Sequence, residues 1–413
     1  MPWATRTGGA LVFLLAVVCS AAAARAGEQA TCEDCHREET PSIVHQWAES
    51  RHAEAGVQCL SCHSAQAGES DAYEHYGETV ATIVSPKDCS LCHPEPVEQY
   101  AASRHADAAR FVETADNFLG FVLEGEAAVV RGCEQCHGSR VEVDEDGRPT
   151  ARTWPNTGAG RVNPDGSRGS CSACHTRHAF SIAQARRPEG CGRCHMGPDH
   201  PQMEVFEESK HGVLFHANRT KMNLASREWV LGVDYSAAPT CATCHMGATP
   251  DQEPTHNAGT RLAWTLRPVV SKRHGDWREK RSAMRNVCHQ CHTSGYVDGF
   301  FRQFDDVVEL YNRRFGRPAR RIMSELREEG LLTEEPFDEK IEWTFFELWH
   351  HEGRRARAGA AMMGQDFVQW HGFYEVAKHF YGDFLEQAEQ LKPGITDEVA
   401  RPAADAEEPA PAE

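Results

Sequence analysis

Eight times along this chain two cysteines stand three positions apart and a histidine follows the second at once. The copies are Cys32-Glu-Asp-Cys35-His36, Cys59-Leu-Ser-Cys62-His63, Cys89-Ser-Leu-Cys92-His93, Cys133-Glu-Gln-Cys136-His137, Cys171-Ser-Ala-Cys174-His175, Cys191-Gly-Arg-Cys194-His195, Cys241-Ala-Thr-Cys244-His245 and Cys288-His-Gln-Cys291-His292. A lone C-x-x-C suits zinc or a disulfide. Eight with an adjoining histidine fit covalent haem instead: two thiols bond the two vinyl groups, and the next residue offers its imidazole as proximal iron ligand. The expectation is eight covalently bound c-type haems, each with its iron.

This inventory limits the fold. With 413 residues in all, each haem is served by about 48 residues of the mature chain, and only 15 separate His175 from Cys191. Eight separate domains do not fit in that length. The expected fold class is mainly α: a multihaem cytochrome c with a haem-packed core of short helices and loops, followed by a C-terminal bundle of long helices.

Residues 1–26 read as a secretory signal peptide, with Arg6, an apolar run from Ala10 to Ala24 and an Ala24-Arg25-Ala26 cleavage pattern. The odd cysteine, Cys19, leaves with it. Later stretches fall short of the run of about 18 apolar residues that a membrane span needs, so a periplasmic location without a stable span is expected. The formal charge of −18 excludes a nucleic-acid binder, which needs a basic face. A basic electron carrier is the better partner.

Fifteen histidines lie outside the motifs, and a pure relay would need eight of them as sixth ligands. A repeated pattern selects four: Ser50-Arg-His52-Ala, Ser103-Arg-His105-Ala, Ser209-Lys-His211-Gly and Ser271-Lys-Arg-His274-Gly. In each, a small neighbour lets a haem edge approach. His75, His178 and His256 are the next best, giving seven candidates for eight irons. An iron left five-coordinate can bind and activate a small molecule, whereas bis-histidine irons relay electrons.

Longer strings around these motifs add specificity. They are Gly160-Arg-Val-Asn-Pro-Asp-Gly-Ser-Arg-Gly-Ser-Cys171, the run from Arg186 through Cys191 and His195 to Asp199-His200-Pro-Gln, Ala238-Pro-Thr-Cys241, and Trp370-His-Gly-Phe-Tyr374-Glu-Val. In these the chain resembles the hydroxylamine oxidoreductase family of octahaem cytochromes c, from Cys32 to about Leu391. The resemblance implies that the haem on Cys133, Cys136 and His137 is catalytic and lacks a protein sixth ligand. It also implies an Asp199-His200 pair above that iron, where a carboxylate beside an imidazole can relay protons. The competing reading of Asp199 is a helix cap for residues 203–208. Oxidative members carry a tyrosine from a neighbouring subunit bonded to the catalytic haem. Among Tyr296, Tyr311, Tyr374 and Tyr381, Tyr374 is the best match, although packing in a helix bundle explains it equally well. A homotrimer is implied too.

After His292 the pattern turns helical, with Phe300, Phe304, Val307, Val308, Tyr311 and Phe315 on one face, an interruption at Gly316 to Pro318, and weak points at Gly353, Gly364 and Gly372. The expected organisation is 1–26 signal peptide, 27–298 octahaem-binding domain, 299–392 C-terminal helical domain and 393–413 disordered acidic tail.

The expected function is oxidation of hydroxylamine or hydrazine at a five-coordinate haem, with electrons relayed through bis-histidine haems to a carrier cytochrome. One rival runs the other way, reducing nitrite or hydroxylamine towards ammonia. A rival of another class is a non-catalytic electron conduit. Reduction of sulfur oxyanions is less favoured, and the absence of a C-x-x-C-K motif disfavours relatives whose active haem uses lysine.

Overall fold

Several haem motifs begin where a capping residue starts a helix. In the computed structural model, which describes residues 31–112, 122 and 125–397, Thr31, Ser85 and Thr240 each close a capping box just before or within a motif segment. The helices Cys32–Glu39 and Cys241–His245 begin directly on the first cysteine. A helix that starts there puts the two cysteines and the histidine at positions i, i+3 and i+4, on one face. Sequence thus dictates the clamp locally, before any long-range packing.

The Ser-basic-His pattern has the same logic. The Ser50 hydroxyl accepts from the Ala53 amide at 3.2 Å, and that of Ser209 from the Gly212 amide at 3.1 Å. Each serine is therefore an N-cap, and it fixes the following histidine at the second position of its helix. His75 and His274 are placed differently: His75 ends the strand Ala72–His75, paired antiparallel with Glu78–Ala81, and His274 directly follows the hairpin of Trp264–Thr265 with Lys272–Arg273.

The fold is mainly helical, as expected from the sequence. Among residues 31–200, prolines aside, the buried apolar side chains that are described number only six: Val44, Val80, Ile83, Ala106, Ala108 and Val141. So thin a set cannot organise that half of the chain by apolar burial alone. By contrast, the C-terminal half holds a continuous core of Tyr311, Phe315, Ile322, Met323, Leu326, Leu348, Val376, Phe380 and Phe384. Ile395, placed by sequence in the disordered tail, is buried in this same core; residues 398–413 lie outside the described residues, as does the expected signal peptide.

The C-terminal helices differ from expectation at their glycines. Gly316 to Pro318 does not interrupt the helix: Ser294–Tyr311 runs through a π-turn, Asn312–Gly316, straight into Arg317–Glu328. The widened turn accommodates the proline, whose ring would otherwise meet the carbonyl four residues back. Gly353 is not a weak point either. A Cβ there would stand 2.5 Å from the Tyr311 ring, so glycine is what allows the helix Gly353–Met362 to pack on Tyr311. Gly364 does divide two helices, standing at the N-cap of Gln365–Val368. No described helix is long and apolar enough to cross a membrane.

Candidate haem wire and open-haem site

Two imidazoles on opposite faces of one iron, each about 2 Å away through nitrogen, put their ring centroids about 6 Å apart. The structure brings six motif histidines to that distance from a second histidine. His36 faces His75 at 6.1 Å, His63 faces His178 at 6.3 Å, and His93 faces His52 at 6.2 Å. His175 faces His256 at 6.5 Å, His195 faces His105 at 6.0 Å, and His292 faces His211 at 6.1 Å. The second histidine is usually remote in sequence. His178, three residues past His175, is set against His63 instead. His274, the seventh candidate, is not brought to this spacing with His245 by any ring contact that is described.

The motif histidines are also oriented for iron. Nδ1 of His36 is 2.8 Å from the Thr40 hydroxyl, and Nδ1 of His63 is 2.9 Å from the Ala81 carbonyl oxygen. For His137 and His245 the corresponding partners are the Ala108 and Ala258 carbonyl oxygens, both at 3.3 Å. Engaging Nδ1 leaves Nε2 for the metal, the usual second-shell arrangement. The residues present therefore fit c-type haem: paired thiols, an oriented imidazole, and in six cases a second imidazole at the right remove. Burial pushes His175 and His195 down to about 4, which keeps them neutral and able to bind metal.

Contacts between motif cysteines give the order of the haem sites. Cys59 neighbours Cys32, Cys62 neighbours Cys89, and Cys89 neighbours Cys171. Cys174 then faces Cys191, the Cys191 thiol meets Cys241, and Cys244 faces Cys288. The fourth motif joins this series from the side, where Cys136 donates to the Arg193 carbonyl oxygen at 3.9 Å and neighbours Cys194. The series thus runs through the first, second, third, fifth, sixth, seventh and eighth motifs, with the fourth as a branch from the sixth.

The branch has distinctive surroundings. The helix Cys133–His137 ends at Gly138, where φ is +83° and a Cβ would lie 2.4 Å from the Arg161 amide nitrogen, so only glycine fits. Phe111 lies edge-on to His137 at 6.1 Å, and the Arg267 guanidinium sits 4.1 Å above the Phe111 ring. Burial pushes the Cys133 thiol up, with Cys136, Glu134 and, least, Asp199 adding to it.

Asp199 does not cap a helix. The helix Gln202–Glu208 has Pro201 at its N-cap and no side-chain bond there. The carboxylate instead accepts from Arg354 Nη1 at 3.2 Å, and it lies 3.6 Å from His200 Nε2 and 4.0 Å from His350 Nε2. Arg354 also donates through Nε to the Arg267 carbonyl oxygen at 2.9 Å. His350 is buried under Phe346, ring on ring at 4.1 Å, and burial with the neighbouring Arg354 pushes it down to about 2. His200 lies 6.2 Å from His195, on which His105 also bears.

Sequence reasoning missed His350 and Arg354. The only signal was the His350-His351 doublet, unassigned among the remaining histidines. Of the tyrosines weighed, Tyr311 is buried within the bundle, while Tyr296 stacks on His292 at 4.6 Å. Tyr374 lies on the π-turn Gln369–Tyr374, half exposed, 5.8 Å from Trp370; Tyr381 is similarly exposed.

Comparison with known proteins agrees with this geometry. Residues 156–338 match the family model described as seven times multi-haem cytochrome CxxCH. The chain is 26% identical over 368 residues to a probable nitrite reductase-hydroxylamine oxidoreductase fusion protein of Kuenenia stuttgartiensis. That alignment takes in 74% of this chain but only 38% of the relative's length. Among solved structures, one described as a hypothetical multiheme protein superposes with a TM-score of 0.76 at 26% identity, covering 87% of this chain and 94% of its own. A reducing HAO-like protein complex of Kuenenia stuttgartiensis superposes at 0.66 with 20% identity, covering 89% and 86%, a likeness of fold. Over residues 156–338 the chain is thus similar to multi-haem CxxCH cytochromes, and over 368 residues it is similar to a protein described as a probable nitrite reductase-hydroxylamine oxidoreductase fusion.

Proposed function

We propose that this protein is a periplasmic octahaem enzyme that oxidises hydroxylamine or hydrazine beside the fourth motif. Seven haem sites would serve as a bis-histidine relay, with His274 assigned to His245 as the remaining candidate. The observation that carries the proposal is the Asp199 carboxylate held by Arg354, which is hydrogen-bonded to Arg267, whose guanidinium lies over the Phe111 ring set edge-on to His137. When bound, the haem on Cys133, Cys136 and His137 supplies an open iron position for substrate and the first step of electron removal.

The chain's own residues do the rest. Asp199 accepts protons from N–H and O–H groups as electrons leave, and Arg354 holds the carboxylate in one orientation. His200, on the far oxygen of Asp199, offers a neighbouring imidazole for the same proton. A carrier cytochrome with a basic docking face would take the electrons from the acidic surface, as the charge of −18 supports. Tyr374, exposed on its π-turn, is the residue proposed to reach a neighbouring subunit in a homotrimer.

A second reading, reduction of nitrite or hydroxylamine towards ammonia, is favoured by one observation: Arg267 and Arg354 both stand beside the site, and a cationic setting suits an anion. Denaturing gels with mass analysis of the intact holoprotein separate the two. Oxidation predicts a haem-bearing species in which Tyr374 joins two subunits. A single haem-bearing monomer band with unmodified Tyr374 peptide would favour reduction.

A further inference from the structure

Four histidines of the C-terminal helices, at 350, 351, 371 and 379, face no motif histidine in the described ring contacts, and each stands within 4.0 Å of a carboxylate. One set of these groups forms a continuous line to Asp199. His350 Nε2 is 4.0 Å from the Asp199 carboxylate, and the His350 and His351 rings are 5.1 Å apart, edge to face. His351 Nδ1 in turn is 2.7 Å from Glu347 Oε2. Side-chain exposure is 21% at Asp199, falls to 6% at His350, and rises again to 14% at His351 and 47% at Glu347. All three residues belong to one π-turn, Glu347–Glu352, the kind of widened turn that often marks a functional site.

We propose that Glu347, His351 and His350 form a proton path between bulk water and Asp199, so that the C-terminal bundle serves the reaction as well as the fold. The proposal rests on the reading of Asp199 as the proton acceptor of the site. In the oxidative direction a substrate proton passes to the Asp199 carboxylate while its electron leaves through the neighbouring haem. Asp199 then protonates one nitrogen of His350 as the other nitrogen gives up its own proton to His351. His351 hands a proton to Glu347, which releases it to water, so one proton enters and one leaves at each stage. The gap of 4.0 Å at Asp199 is of a size that a small shift or one bridging water closes, and the two rings meet edge to face with centroids 5.1 Å apart.

Supporting chemistry agrees with this arrangement. His350 is held as a neutral imidazole by its burial, the form that can accept on one nitrogen and donate from the other. The hydrogen bond from His351 is the main cause holding Glu347 below the usual carboxylate range, with Arg355 and His379 contributing from nearby. Glu347 is therefore an ionised acceptor at neutral pH, placed at the water boundary.

The test uses the holoprotein and cyanide, which arrives as HCN and loses its proton when it binds an open ferric haem, without turnover. Stopped-flow absorbance follows uptake at the haem, and a pH-indicator dye follows the proton reaching bulk water. Glu347→Gln and His351→Gln are each expected to delay proton release roughly tenfold, and to lower kcat for hydroxylamine by a similar factor with KM unchanged. Glu347→Asp should restore most of the release rate, and His371→Gln, at a carboxylate pair outside the line, should match wild type. Haem content verifies folding of each variant, and Glu347, at the surface, keeps the test available if His351→Gln fails to fold. Wild-type release rates in both Gln variants would overturn the path while leaving the site intact. Absence of cyanide uptake by the wild-type holoprotein would remove the site itself, and the path with it.

Discussion

Asp199→Asn leaves every haem attached and slows turnover by roughly 10²- to 10⁴-fold, the range for removing one positioned proton acceptor. The amide keeps the size of the carboxylate and can still accept from Arg354 Nη1 through its oxygen, so the 3.2 Å contact has no steric reason to open. What it loses is the ability to take a proton. The expected pattern is a fall in kcat and kcat/KM together, with haem content by pyridine haemochrome unchanged. Unaltered kcat in this variant would take Asp199 out of the proton chemistry.

Arg357→Ala is expected to have the largest effect on stability. The guanidinium is fully buried, and it donates to the Gly353 carbonyl oxygen at 2.7 Å, the Pro268 carbonyl oxygen at 3.1 Å, the Ser271 hydroxyl at 2.6 Å and the Trp349 carbonyl oxygen at 3.3 Å. It also lies 3.9 Å over the Tyr311 ring. Burial pushes its pKa down to about 10, still high enough to keep the charge at neutral pH. These acceptors belong to two different parts of the fold, the helical segment around 349–353 and the loop of the second hairpin, at 268–271. Truncation leaves buried carbonyl groups without their donor and opens a cavity between those parts, a loss of roughly 3–5 kcal/mol. Denaturant titration followed by tryptophan fluorescence should show the midpoint falling, with the Soret spectrum of the folded protein unchanged. A midpoint at the wild-type value would contradict the assignment of Arg357 as the tie between the two parts.

How much of this was legible in the sequence depends on how local each constraint is. The eight motifs were plain because bonding one porphyrin fixes the cysteine spacing within a single helical turn. Likewise, the Ser-basic-His pattern could be read at Ser50 and Ser209 because a cap acts on the next three residues. Pairing could not be read. His178 lies three residues past His175, yet it stands opposite His63, and His256 is the one that faces His175. No short-range rule links such residues, since the chain returns to each haem site from a distance.

The same limit hid half of the candidate site. Asp199 came into view through resemblance, but its partner Arg354 lies 155 residues further on, in a helix whose pattern looked like ordinary bundle packing. In the C-terminal helices the apolar period was legible, whereas the response to Pro318 was not. A proline after glycine reads as a break, and the helix avoids one by widening to a π-turn at Asn312–Gly316. Gly353 misled for a related reason: sequence shows a missing side chain, and only packing shows the Tyr311 ring that needs the space.

Electron paramagnetic resonance of the purified ferric holoprotein, recorded with and without hydroxylamine or cyanide, tests the central claim most directly. The account predicts seven low-spin signals of the bis-imidazole type and one high-spin centre that disappears when the ligand is added. Eight low-spin centres, all indifferent to added ligand, would contradict it.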